Sequence, residues 1–460
     1  MGKGEVVMNL LLCAIVILGA GTLVIKKFKA QTVLLLGGLI MMLGAYFLGY
    51  TTEFVEAKKG TGMMFFDAFE WINNTTAKDA AGLGLMIMTC TGFAKYMDHI
   101  GASSRLVTTA IKPLQAMKAP YLVLSLTFLV NMFMSLVIPS ASGLAMLMMV
   151  TIFPILVRLG VSPVGAAAAV ATGHLLDIGP ASATSLLVSK TVGLGVEEYF
   201  VGYQLKVYII CGIVTAVAHY IWQQYMDKKS GHVPSEVVHT EAQEEVAVGP
   251  LVYLVLPFLP LVFMLGFSKY GIAGIKMNVN LAMFLSLFIA MVFEFIRFRD
   301  FRKVAASIQT FFKGMGDQFT NTVTLIVAGE TFAFGLTSLG IVNEFVAFIK
   351  TFSIQADIVG VIVSGIILVL SIVMGSGVAS MFAFSPLVPN FAKELGGNAI
   401  TMLLGMQNAA SVGRLLSPIS AVMIAVAGVA NISSFDLVKR TAVPVLITFI
   451  TSTICILIFH

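Results

Sequence analysis

The sequence predicts an all-α polytopic membrane protein made of two inverted repeats, each with about five transmembrane segments and one re-entrant hairpin. Three observations carry the prediction: apolar blocks of bilayer-spanning length, lysine and arginine gathered at the turns between them, and polar echoes repeated in order half a chain apart.

Of the 460 residues, 58% are apolar and 11% charged, against roughly 25% charged in a soluble domain. That balance cannot coat a globule of this size. The apolar residues fall into blocks of about 17 to 25, enough to cross a hydrocarbon core about 30 Å thick. Cys13, Cys90, Cys211 and Cys455 all lie inside apolar blocks without metal-ligand spacing and read as small lipid- or core-facing residues. A net charge of +5 suggests nucleic acid in a soluble chain, but here the basic residues sit between spans, as the positive-inside rule requires. No nucleic-acid partner is expected; the lipid bilayer is.

The first two blocks, Val6 to Ile25 and Thr32 to Tyr50, flank Lys26, Lys27 and Lys29, which should stay cytoplasmic and leave the N-terminus outside. The first block lacks a small-residue cleavage site and is followed at once by this basic patch, so it reads as a retained span. Thr51 to Ala80, holding Glu53, Glu56, Asp67, Glu70, Trp71 and Asp79, reads as an external loop. A third span, about Ala81 to Met97, returns to a basic stretch with Arg105, Lys112 and Lys118. Two arms, Tyr121 to Ile138 and Gly143 to Val157, are joined by Pro139-Ser140-Ala141-Ser142 and bounded by Lys118 and Arg158, so both mouths are cytoplasmic: a re-entrant hairpin over 121–158. The segment 164–194 is broken at Gly179-Pro180, because proline removes a backbone donor. Glu197 and Glu198 lie outside, and Val201 to Tyr225 returns to Asp227, Lys228 and Lys229, closing a first repeat over 1–227.

Residues 228–250, rich in Glu, His, Ser and Val, form a cytoplasmic linker. The second repeat, 251–460, resumes with spans at about Leu251 to Phe267 and Val279 to Ile296, the latter ending at Arg297, Arg299, Arg302 and Lys303. Phe301 to Asp317 reads as an interfacial amphipathic helix. A second hairpin over 357–393 opens outside, and a second broken segment, 399–430, precedes Lys439 and Arg440 inside.

The halves echo each other. Gly-Phe-Ala-Lys-Tyr-Met-Asp-His-Ile-Gly at 92–101 returns weakly as Thr-Phe-Ala-Phe-Gly-Leu-Thr-Ser-Leu-Gly at 331–340; Ser142-Gly143 returns as Ser376-Gly377; Gly-Pro-Ala-Ser-Ala at 179–183 returns as Ser-Pro-Ile-Ser-Ala at 417–421. The offset is about 235 residues each time, which indicates internal duplication. An odd number of crossings per half inverts the second, and the charge pattern inverts with it.

Inverted repeats interrupted by Gly, Pro and Ser point to a midplane site where half-helix N-termini and freed backbone donors hold an anion. The candidates are the hairpin tips, Ser140 to Gly143 and Gly375 to Ser380, and the breaks, Gly179 to Thr184 and Ser417 to Ser420. Within them we single out Ser140, Ser142, Gly143, Pro180, Ser182, Ser376, Gly377, Ser380, Ser417 and Ser420. The competing reading is that small residues merely let helices pack closely. Intramembrane charges mark function by default: His174 and Asp177 before the first break, three apart on one helical face, as a proton relay or cation site or a satisfied core pair; and Arg414 before the second, as a bidentate carboxylate partner or a structural pair of a buried acid such as Asp177. Gln407 and Asn408 either donate to a ligand or satisfy backbone at the break. Glu330 and Asp98, near span ends, read as solvated or paired. No nucleotide-binding, dinucleotide-binding or metal motif is present, so no cofactor and no enzymatic reaction are expected, and energy must come from an ion or counter-substrate gradient.

The run Gly84 to Ala102, the run Gly413 to Val422 and the run Phe435 to Leu446 resemble the bacterial anaerobic C4-dicarboxylate carrier (DcuC) family of the ion transporter superfamily. The resemblance extends through nearly the whole chain. It implies a scaffold plus a transport domain that moves as an elevator, a homodimer in the bacterial inner membrane, and exchange or ion-coupled transport of succinate, fumarate, malate or aspartate, while the charge pattern places both termini in the periplasm. His174 and Asp177 depart from it, because an acid beside an anion site repels a dianion unless protonated or paired. They leave a proton or Na+ as the expected coupling ion, with transport of another organic anion or cation/proton antiport as alternatives.

Overall fold

The computed structural model describes residues 3–49, 53–56, 60–232, 248–272, 274–275, 277–351 and 355–460. Residues 233–247, most of the expected linker, lie outside the described residues, as do parts of the expected 51–80 loop. Among the described residues all regular structure is helical. Six helical runs are long and apolar enough to cross a membrane: Ala30–Phe47, Val196–Lys229, Val279–Phe298, Phe301–Ser338, Ala356–Met374 and Ser434–Phe459.

In chain order, α1 (Lys3–Ile25) and α2 (Ala30–Phe47) precede α3 (Met64–Asp79), which runs through a π-helical turn (Ala80–Gly84) into α4 (Leu85–His99). Then come α5 (Ala102–Gln115), the first hairpin arms α6 (Pro120–Ser135) and α7 (Ala141–Thr151), and α8 (Phe153–Arg158). The first broken helix is α9 (Pro163–Ala171) and α10 (Ala183–Val192), followed by α11 (Val196–Tyr199), a π turn and α12 (Leu205–Lys229). The second half holds α13 (Leu259–Gly266), α14 (Val279–Phe298), α15 (Phe301–Gln318), a π turn (Phe319–Val323), α16 (Thr324–Ser338) and α17 (Ile341–Thr351). The second hairpin is α18 (Ala356–Met374), α19 (Gly377–Phe384) and α20 (Val388–Leu395); the second broken helix is α21 (Ala399–Leu415) and α22 (Ala421–Val429), and α23 (Ser434–Phe459) ends the chain.

Four expectations change. The region read as an external loop contains α3, whose charges misled because they share the helix with buried Ala68 and Thr75. The span expected at Leu251 to Phe267 is a 3-10 stretch (Leu251–Phe258) followed by α13, since Pro257 and Pro260 cannot donate to an α-helical ladder. The amphipathic helix at 301–317 does not end at an interface. It packs along α4 with Phe311 fully buried and runs on into α16. Asp227 and Arg440, read as markers of the inner boundary, form a buried ion pair at 2.7 Å.

The most extensive helix pairings are α2 with α16, α4 with α15, α12 with α23 and α18 with α21. The four cysteines are buried. The Asp227 carboxylate also receives the Ser162 hydroxyl (2.6 Å), the Ser162 N–H (3.0 Å) and the Tyr121 hydroxyl (3.0 Å). Ser162 caps α9 through Gly165 N–H, and Pro163 at the first helical position needs no donor partner. The buried pair thereby sets where the first broken helix starts.

Candidate functional site at two hairpin tips and two helix breaks

Each of the four interruptions restarts a helix at a serine: Ser140 before α7, Ser182 before α10, Ser376 before α19 and Ser420 before α22. Serine is favoured there because its short hydroxyl accepts from an otherwise unpaired N–H. Ser140 accepts from Gly143 N–H (3.2 Å), Ser182 from Ser185 N–H (3.3 Å) and Ser376 from Ala379 N–H (3.2 Å). Ser420 is buried and makes no such cap bond.

The interruptions touch one another through α21. A Cβ built on Gly377 would lie 2.3 Å from the Ala410 carbonyl, so only glycine lets the second tip approach α21 this closely. At the next residue of α21, the Ser411 hydroxyl accepts from Asp177 N–H in the first break (3.2 Å). Gly375 lies against Ile419 in the second break, and Gly179 against Leu136 at the base of the first tip. Helix α22 packs on α7 and α10 on α19.

The first break is longer than Gly179-Pro180 alone suggests: α9 ends at Ala171, and after one 3-10 turn residues 175–182 are unwound. His174 and Asp177 are thus in the break and not on a regular helical face before it. Their side chains still meet, Nε2 to Oδ1 at 3.7 Å. The unwinding follows from Pro180, which lacks an N–H and biases its predecessor away from helix. Freed backbone groups find side chains instead. Gln407 Nε2 donates to the Asp177 carbonyl (2.7 Å), and Gln204 Oε1 accepts from Gly179 N–H (3.2 Å). The Ser182 and Thr184 hydroxyls each lie 3.1 Å from the Asp177 carbonyl. Tyr199 OH donates to Gln407 Oε1 at 2.8 Å. Of the two roles open to Gln407 and Asn408, Gln407 satisfies backbone.

Asn408 does not. It is 1% exposed, and neither its Nδ2 nor its Oδ1 has a hydrogen-bond partner. Arg414 donates through Nη2 to the His174 carbonyl (2.7 Å), while its buried Nε has no partner, nor has the buried Ser417 Oγ. Arg414 makes no ion pair with Asp177 among the described residues. The remaining candidates diverge. Ser142 is exposed, Gly143 half-buried and Pro180 buried, while Ser380 turns to Ser371 on the other arm of its own hairpin.

A cavity of about 420 Å³ reaches the second tip and second break, lined by Ser376, Ala379 and Ile419 on one side and Lys27, Gln31 and Asn321 on the other. The sequence reading missed Asn131, Tyr199, Gln204 and Ser411. Asn131 and Gln204 are amides in apolar spans, a costly placement that marks a buried polar network. Asn131 Nδ2 donates to the Val170 carbonyl at 2.8 Å just before the break.

A sequence profile of the C4-dicarboxylate anaerobic carrier family matches residues 8–460. The anaerobic C4-dicarboxylate transporter DcuC of Escherichia coli K12 is 34% identical over 439 residues, covering 95% of this chain and 94% of the relative. The probable anaerobic C4-dicarboxylate transporter DcuC of Vibrio cholerae is 33% identical over 445 residues, covering 96% of each. Among solved structures, the Neisseria gonorrhoeae efflux pump MtrF is similar with a TM-score of 0.61 at 12% identity, covering 94% of this chain and 95% of the pump. The Alcanivorax borkumensis transporter YdaH is similar with a TM-score of 0.60 at 12% identity, covering 93% and 97%. At that identity the likeness is one of fold.

Proposed function

The chain belongs to the C4-dicarboxylate anaerobic carrier family, a family of multi-pass membrane transporters, and from that premise we propose that it carries succinate, fumarate, malate or aspartate across the bacterial inner membrane by exchange or ion-coupled transport. The observation that carries this reading is the set of buried, unpartnered polar groups on α21 and the second break: both side-chain atoms of Asn408, Arg414 Nε and Ser417 Oγ. Donors left unmade in a dry site cost stability unless a ligand completes them. Their chemistry, a guanidinium and an amide with two helix N-termini close by, suits a carboxylate. Lys27 on the wall of the cavity that reaches Ser376 adds an attractive charge at its mouth.

Alternating access follows from two inverted repeats. The order α3, π turn, α4, α5, hairpin, broken helix, α12 is matched by α15, π turn, α16, α17, hairpin, broken helix, α23. Gly101 and Gly340 join the corresponding helices with φ of 77° and 75°. Helices α6–α12 and α18–α23 serve as the moving transport domain. Helices α1–α4 and α13–α16 form the scaffold, which dimerises, with both termini periplasmic. His174 and Asp177 hold a coupling proton or Na+ in the second reading, cation/proton antiport, which their buried pairing favours.

Protein reconstituted in liposomes loaded with fumarate should take up labelled succinate. Absence of exchange with any four-carbon diacid would remove the substrate assignment, and a thermal-shift panel of other organic acids would locate the substrate class. Ion-driven pH changes without any organic anion, abolished by Asp177→Asn, would establish the antiporter instead.

A further inference from the structure

The cavity of about 420 Å³ that reaches the second tip has a polar wall opposite the tip. The turn between α1 and α2, the start of α2 and the second π turn bring Lys27, Gln31 and Asn321 together there. Gln31 Nε2 donates to the Asn321 backbone carbonyl (3.4 Å) and so ties α2 to the π turn. The second N–H of that amide and the Asn321 side chain supply further donors on the same wall. Among the described residues, Lys27 is the only titratable group lining the cavity, and its ammonium makes no ion pair. Its backbone is unusual as well. Lys27 N–H bonds to the Val24 carbonyl (2.9 Å) and Phe28 N–H to the Leu23 carbonyl (3.1 Å), a closure of α1 that puts Lys27 at a φ of 66°. Glycine is the usual residue at that position, because a Cβ is crowded in the left-handed region. The turn therefore has no need of a lysine, whereas the cavity wall gains its charge from one.

We propose that this cavity is a second dicarboxylate site, at which Lys27 with Gln31 and Asn321 holds the anion between the cytoplasm and the second tip. The inference rests on the dicarboxylate reading and deepens it. A wall with one cation, amide donors and no acid favours a carboxylate, and a volume of about 420 Å³ lies within the range of small-molecule pockets. Lys26 and Lys29 flank Lys27 in the turn that the charge pattern places in the cytoplasm, so anions are drawn to the cavity from that side. The site is separate from the unpartnered groups of Asn408, Arg414 and Ser417, none of which lines this cavity. A dicarboxylate held by Lys27 lies beside Ser376, which caps the second tip from the other wall.

The test places a reporter thiol in the cavity of the full chain. Ala30 lines the cavity at the first position of α2, where a helix N-terminus favours the reactive thiolate, and the four native cysteines are buried. The Ala30→Cys variant in detergent is alkylated with N-ethylmaleimide, an uncharged probe, and saturating succinate should slow the reaction about tenfold or more. Added to that variant, Lys27→Gln and Lys27→Gly should bring the rate back to within about twofold of the succinate-free one, and Lys27→Arg should keep the protection. Arg414→Ala should keep it too, because Arg414 lies outside the cavity. Protection that survives Lys27→Gln overturns the inference. So does protection lost in Arg414→Ala, since succinate would then act from the other site by moving the tip. Glycine adopts the backbone of Lys27 freely, so Lys27→Gly should unfold at no lower temperature than wild type; a lower Tm would mean that the lysine holds the turn, and would also overturn the inference. Succinate counterflow by wild-type protein in liposomes is run alongside. Counterflow without protection of Ala30→Cys removes this site and leaves dicarboxylate transport standing, whereas no counterflow with any four-carbon diacid removes both.

Discussion

Replacing Asn408 with leucine tests whether the candidate site is built for a ligand. The side chain is buried on α21, with an amide donor and a carbonyl acceptor that both lack partners. Leaving a buried polar group unsatisfied costs about 1–3 kcal/mol, and a change to an apolar group of the same shape relieves that cost. Leucine is close to asparagine in shape, so repacking should offset only a part of that relief. The expected result is a ligand-free protein stabilised by a part of that cost of about 1–3 kcal/mol. Wild-type protein in detergent at succinate one hundred times its dissociation constant should gain about 2.7 kcal/mol from ligand linkage, and Asn408→Leu should gain none. The assay is thermal or denaturant unfolding with and without succinate. If Asn408→Leu is destabilised by more than about 1 kcal/mol without ligand, its amide was structurally satisfied and the reasoning from unpartnered groups fails. A ligand shift equal to wild type would place the substrate elsewhere.

Asp227→Ala should cost about 3–5 kcal/mol, because it leaves the Arg440 guanidinium, 8% exposed, without its carboxylate. Unfolding of Asp227→Ala, Arg440→Ala and the double variant should be non-additive, and additivity within about 0.5 kcal/mol would refute the clamp. Gly377→Ala drives a methyl into the Ala410 carbonyl, and should separate the second tip from α21 at a cost of about 1–3 kcal/mol with loss of succinate binding, both read by thermal shift. Ser376→Ala removes the cap on Ala379 N–H, so stability should fall by about 1 kcal/mol along with affinity. Arg414→Ala should lose the carboxylate partner and lower succinate affinity at least about tenfold by titration calorimetry; wild-type affinity in both of these variants would exclude the second tip and break from the site.

The local features of the fold were legible because they follow from neighbours along the chain. Apolar runs and helix-breaking prolines marked the segments 121–158, 164–194, 357–393 and 399–430, each of which holds an interrupted helix, and the serines marked there cap three of the four restarting helices. The misreadings have local causes too. A charged amphipathic helix at α3 resembles a loop by composition, and Asp227 and Arg440 resemble boundary charges as long as their partner is out of sight.

What only the tertiary structure decided is which buried polar groups meet. Gln407 and Asp177 are 230 residues apart in sequence and 2.7 Å apart in space, and Asp79 meets Lys190 across more than a hundred residues. In an apolar interior the role of a polar group depends on whether its donors and acceptors are matched, and no periodicity records that. Sequence alone therefore determined a polytopic helical protein interrupted at four serine-bearing breaks, with Gln407 and Asn408 as equal candidates. Tertiary packing separated them, because Gln407 closes onto backbone across the bundle while Asn408, one residue on, is buried with nothing to bond.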